Sequence, residues 1–228
     1  VVQTLGASVT GNRILMAAVS VIIVIFSAIL HEVAHGYAAL RLGDPTAQRA
    51  GRLTLDPRAH LDPFGSVALP LIMAMAGGPM FAFAKPVPYN PNNLKNPRRD
   101  EVLVALAGPF CNLLQAIVGA ALFRVLYVSW DGGADAAYWT LTILTTYVYV
   151  NLTLMFFNLI PLPPLDGSSI ISPLLAGAAR QRYYEVQRYA MPILLVLLYV
   201  LPGVLGFDPL GLYLDATAGG LYGALLGV

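Results

Sequence analysis

The sequence predicts an all-α membrane protein: a polytopic helical bundle with a re-entrant segment and short interfacial extended pieces. Three observations predict it. A mean hydropathy of +0.70, with 57% hydrophobic and 11% charged residues among 228, is the composition of multispanning helical chains. The apolar stretches run for about 20 residues or more, the length a helix needs to cross a bilayer, whereas a strand-built barrel would alternate over roughly ten. The basic residues gather in three segments, as the charge rule for cytoplasmic loops requires. The length suits one domain, 1–228, without an appended soluble domain of usual size. The net charge of +1 singles out no partner, and no nucleic acid is expected.

Residues 1–12 lack the basic region and cleavage site of a signal peptide, so the first span, 14–42, is expected to be retained. Further spans are expected at 102–128, 140–162 and 189–206, with ambiguous apolar segments at 64–84 and 210–226. The joining segments 43–63 and 85–101 are rich in Pro, Asn, Asp and Arg and read as interfacial loops. Within them, 52–55 and 86–89 read as short extended pieces. Charge sets the orientation. Arg41, Arg49, Arg52 and Arg58 follow the first span, Lys85, Lys95, Arg98 and Arg99 precede the second, and Arg180, Arg182 and Arg188 follow the third. All three groups are assigned to the cytoplasm, with Asp131, Asp135, Asp208 and Asp215 outside. A full crossing by 64–84 would invert everything after it. A re-entrant turn at Pro70 and Gly77-Gly78-Pro79 removes that conflict. Trp130 and Trp139 suit the outer interfacial belt, and Arg124 is read as snorkelling there.

The chemistry starts at His31-Glu32-Val33-Ala34-His35, which continues a run uncharged from Ile14 to Leu30. Residues i and i+4 share a helix face, so two imidazoles can address one ion while Glu32 handles a proton beside it. Ionisable groups in lipid are costly without a partner and are functional candidates by default. Catalytic zinc takes three protein ligands and keeps a fourth position open. One source for the third is the nearby set Asp56, His60 and Asp62. The other is Asp166, in the segment 158–167, where Pro161, Pro163 and Pro164 break a helix and leave a carboxylate on irregular backbone beside an apolar span. The second is preferred, because topology brings the first and third spans to the cytoplasm together. Cys111 is the only cysteine, which excludes disulfides within the chain and thiolate zinc sites.

Three separated motifs carry a family resemblance: HEVAH at 31–35, AGPFCN at 107–112, and NLIP at 158–161 followed by Leu165-Asp166-Gly167. Together they resemble the site-2 protease family of intramembrane zinc metalloproteases, in its short bacterial form, over about residues 14–169. The stretches RLGDPTA at 41–47 and AKPVP at 84–88 also resemble that subgroup. The resemblance implies one zinc ion per chain held by His31, His35 and Asp166, with Glu32 as catalytic base. It implies roles in substrate binding or oxyanion stabilisation for Asn158 and, less defined, for Asn112. The expected partners are a transmembrane protein or peptide substrate and the lipid bilayer, and the expected place is a bacterial inner membrane with the site toward the cytoplasm. The sequence carries neither the PDZ domain nor the CBS pair of many relatives. A substrate helix must unwind to expose a carbonyl, and pairing with 52–55 or 86–89 would help. The competing readings are a protease with a downstream glutamate ligand, for which only Glu101 and Glu185 remain, and a metal transporter or sensor using the same cluster.

Overall fold

The computed structural model describes residues 2–62, 85–130, 132 and 135–227. The re-entrant element expected at 64–84 lies outside the described residues. Among those described the chain is helical and forms no strand. Helix α1 (Val2–Leu42) is followed by the single turns α2 (Thr46–Arg49) and α3 (Pro57–His60). Then come the long helices α4 (Pro97–Val128) and α5 (Asp135–Asn158), and the short α6 (Asp166–Ile171) and α7 (Gly177–Gln187). Among the described residues three helices are long and apolar enough to cross a membrane: Leu15–Leu42, Pro97–Val128 and Asp135–Asn158.

Several expected boundaries move, the second span starting at Pro97 rather than 102 and the third at Asp135 rather than 140. The third span ends at Asn158 rather than 162, because Pro161 disfavours helix in Ile160 and its ring would clash with the carbonyl of Phe157. The expected span 189–206 is helical but interrupted by a π-turn at Val196–Val200. It has the length to cross only when Pro192–Val204 is taken with Pro209–Leu226, and the two are bent by 108°.

Helix α4 is the hub, packing against α1, α5 and α6. Its buried face carries Ala105, Gly108, Ala116, Gly119 and Ala120, small residues that let helix backbones approach where lipid offers no hydrophobic driving force. Phe123, Leu141, Val148 and Leu152 fill the core beside them. Arg124 does more than reach for the interface: its guanidinium donates to the Ala224 carbonyl at 3.1 Å and ties the C-terminal turn to α4.

The extended pieces form no ladder, yet 85–90 is held along α1 as an irregular strap. Lys85 N–H donates to the His60 carbonyl at 2.8 Å and the Arg52 guanidinium donates to the Lys85 carbonyl at 2.7 Å. At the other end, the fully buried Asp44 carboxylate accepts from Asn90 N–H at 2.6 Å, Asn93 Nδ2 at 2.8 Å and Thr46. Burial alone would raise the Asp44 carboxyl, but these hydrogen bonds outweigh it and hold it below the ordinary carboxylate range. Asp44 thus fastens the strap to the end of α1 as an anion.

Candidate metal centre

His31 and His35 stand one turn apart on α1, their rings edge to face with centroids 4.6 Å apart. Their Nε2 atoms are 3.0 Å from each other. Asp166 opens α6 and closes the triangle: Oδ2 lies 3.1 Å from His31 Nε2 and Oδ1 lies 3.3 Å from His35 Nε2. The prolines that stop α5 make this possible, since α6 restarts from an extended Leu165 immediately before the carboxylate. Gly167 is required beside it. A Cβ there would fall 2.3 Å from the Leu159 carbonyl oxygen and 2.4 Å from that of Ile160. Gly108 forms the floor: a Cβ on it would fall 2.4 Å from His35 Nε2 and 2.5 Å from His31 Nε2.

The outer nitrogens define the tautomers. His35 Nδ1 lies 2.7 Å from the Val104 carbonyl, which can only accept, so Nδ1 carries the proton and Nε2 presents a lone pair. His31 Nδ1 lies 2.5 Å from Asn112 Oδ1. Two nitrogen lone pairs and a carboxylate therefore converge, and the buried Asp166 Oδ2 has no hydrogen-bond donor. Positive charge is what such a triangle lacks. The separations of 3.0–3.3 Å suit tetrahedral zinc, whose bonds of about 2.0–2.2 Å put neighbouring ligands roughly 3.3 Å apart. Two imidazoles and one carboxylate also leave the fourth position that a catalytic site keeps. Among the described residues these three form the one group able to hold an ion.

Glu32 is held from a different direction. Its Oε2 accepts the Val87 N–H at 2.8 Å, and Val87 is the only donor in Pro86-Val87-Pro88 because proline has no N–H. A polar cavity of about 170 Å³ is lined by Tyr89 from the strap, Glu101, Pro163, Tyr183 and Ser168, Ser169 and Ser172. Glu101, which a competing reading left as a possible ligand, is part of that lining and not of the ligand triangle.

The other expected residues separate into near and far. His60 turns away: it is buried, with Nε2 2.8 Å from the Thr54 carbonyl. Asp56 caps α3 by accepting from Arg58 N–H. Neither they nor Asp62 belong to the ligand triangle. Asn158 is the last residue of α5, half-buried, and its Nδ2 donates to the Leu154 carbonyl at 2.9 Å. Asn112 is fully buried, with both polar atoms engaged inside the bundle. Sequence reasoning passed over Asn151, Ser27, Val87 and the role of Gly108. An amide in the middle of an apolar span was the available signal for Asn151.

Comparison with known proteins gives one family of zinc metalloproteases. The model of peptidase family M50 matches residues 124–201, which include Asn158 and Asp166. The zinc metalloprotease by name YwhC of Bacillus subtilis is 39% identical over 184 residues, covering 78% of this chain and 78% of that protein. Rip2 of Mycobacterium tuberculosis, also named a zinc metalloprotease, is 34% identical over 173 residues, covering 74% of this chain and 61% of that protein. Rip2 of Mycolicibacterium smegmatis is 30% identical over 174 residues, covering 76% and 64%. No solved structure matches.

Proposed function

Because the chain belongs to peptidase family M50, the site-2 type of zinc metalloprotease, we propose that it cuts a peptide bond within or near a transmembrane segment of a membrane protein. One zinc ion per chain is held by His31, His35 and Asp166, and Glu32 is the base. The observation that carries this reading is the triangle itself: two imidazole nitrogens from an apolar helix and a carboxylate far along the chain, all within 3.3 Å of one another. His35 lies seven residues before Leu42, so the chemistry sits about 10 Å inside the helix end at roughly 1.5 Å per residue.

When bound, zinc polarises a peptide carbonyl and brings the pKa of an attacking water from ~15.7 toward ~7. The rest belongs to the protein. Val87 N–H fixes one oxygen of Glu32, leaving the other to take the proton from water and return it to the departing amine. The hydroxyl-lined cavity that Ser168 and Ser169, two and three residues after Asp166, help to form supports a water route through an otherwise apolar bundle. Asn158, at the break between α5 and α6, is suited to receive a substrate carbonyl once its amide leaves Leu154. The basic residues on the segments around α2, α3 and the strap support a site facing the cytoplasm of a bacterial inner membrane.

The test uses purified protein in nanodiscs with a model single-span peptide carrying an Asn-Pro pair in a polyleucine segment. Cleavage is expected to stop after chelation with 1,10-phenanthroline and to return with one equivalent of zinc. Zinc flux across proteoliposomes without cleavage of any membrane-inserted peptide would overturn the reading in favour of transport.

A further inference from the structure

The two zinc-facing imidazoles are oriented by different means. His35 uses a backbone carbonyl, which cannot change its role. His31 uses the side chain of Asn112, and a primary amide can rotate to present either a donor or an acceptor. Something must decide which end of Asn112 meets the ring.

The hydrogen bonds beyond Asn112 supply the decision. Asn151 on α5 lies 3.0 Å through Nδ2 from the Tyr147 carbonyl, which can only accept. The same Nδ2 donates to Ser27 Oγ on α1 at 3.0 Å. With its amino group used there, Asn151 turns Oδ1 toward Asn112, and only a donor can meet it: Asn112 Nδ2, at 2.8 Å. Asn112 must then turn Oδ1 toward His31, so His31 Nδ1 must carry the proton and Nε2 must be the lone pair. Rotating Asn112 would set two amide oxygens against each other in a site where Ser27, Asn112 and Asn151 are all fully buried.

We infer that Asn112 and Asn151 are positioning residues for zinc. A relay from the Tyr147 carbonyl through both amides locks His31 in the tautomer that presents Nε2 to the metal. The inference rests on the zinc assignment above. It replaces a substrate-facing role for Asn112, whose two polar atoms are both engaged.

Zinc affinity, measured by chelator competition on the purified protein, tests it without needing a substrate. Removing a group that orients a metal-binding imidazole costs about 10–100-fold in affinity, so Asn112→Leu is expected to lose that much, and Asn151→Leu a substantial part of it. Because Asn151 acts through Asn112, adding Asn151→Leu to Asn112→Leu should change affinity by less than about twofold. Gln115→Leu breaks the neighbouring buried contact with the Tyr147 hydroxyl, at 2.9 Å, without touching the ring, and should leave affinity unchanged. Histidine 15N spectra of the zinc-free protein should show Nδ1 of His31 fully protonated, and partly unprotonated in Asn151→Leu. Additive losses in the double variant, or wild-type Nδ1 protonation and affinity in folded Asn151→Leu, would overturn the relay. Should Asn112→Leu fail to fold, Asn151→Leu decides the matter. Failure of the wild-type protein to bind zinc at all would instead strike the function proposed above.

Discussion

Replacing Gly108 with alanine is expected to abolish zinc binding and proteolysis together while leaving the helices intact. The added carbon would stand 2.4 Å from His35 Nε2 and 2.5 Å from His31 Nε2, inside van der Waals contact with both nitrogens that face the ion. Neither ring can simply swing aside. His35 is tethered to the Val104 carbonyl, one turn before Gly108 on α4, and His31 is tethered to Asn112, one turn after it. Relief must come from separating α1 and α4 or from breaking a tether, and either displaces a ligand by an appreciable part of an ångström. A misplacement of about 1 Å costs on the order of 10²-fold in rate, and two displaced ligands should cost more. Alanine is the better helix former by about 1 kcal/mol, so circular dichroism should show the wild-type helix content. Zinc content and cleavage rate measured on one preparation check the prediction. Full zinc occupancy in Gly108→Ala would mean that the imidazoles do not meet the metal through Nε2.

Glu32→Gln is expected to separate binding from chemistry. Glutamine keeps the shape of the side chain, and its carbonyl oxygen can still accept the Val87 N–H, so the strap remains seated. It cannot take a proton from water. Loss of a positioned general base costs about 10²–10⁴-fold, so cleavage should fall by that factor while zinc affinity stays near wild type. The contrast with Gly108→Ala is informative, because only one of the two variants loses metal. Equal loss of zinc in Glu32→Gln would make Glu32 a ligand rather than a base.

The histidine pair was legible because helical periodicity converts a spacing of four into a shared face. Asp166 was legible through chemistry and topology together: prolines end a helix, and the charge distribution brings that end to the side of His31. The exact end of the helix was not. Proline acts on the residues before it, so α5 stops at Asn158 instead of running to 162. His60 is the opposite case. It lies close to the pair in sequence, but α3 turns its imidazole toward the Thr54 carbonyl. Gly108 was visible as part of a motif, yet its closeness to the rings depends on how α4 crosses α1. That is a packing relation between segments more than seventy residues apart. Val87 contributes a backbone N–H, which leaves no mark in a side-chain sequence except the two prolines beside it. Asn151 was in plain view within an apolar span, but its partners depend on rotational register. Residues marked by their own helix's periodicity, or by a helix break and the charge pattern, were therefore readable, and those placed only by how two helices pack were not.

The most direct test is an anomalous-scattering map recorded at the zinc edge from crystals of the zinc-loaded protein. The account predicts one peak, about 2.0–2.2 Å from His31 Nε2, His35 Nε2 and one Asp166 oxygen. A peak held by both histidines but more than about 5 Å from Asp166, well outside any direct zinc–oxygen bond, would contradict it.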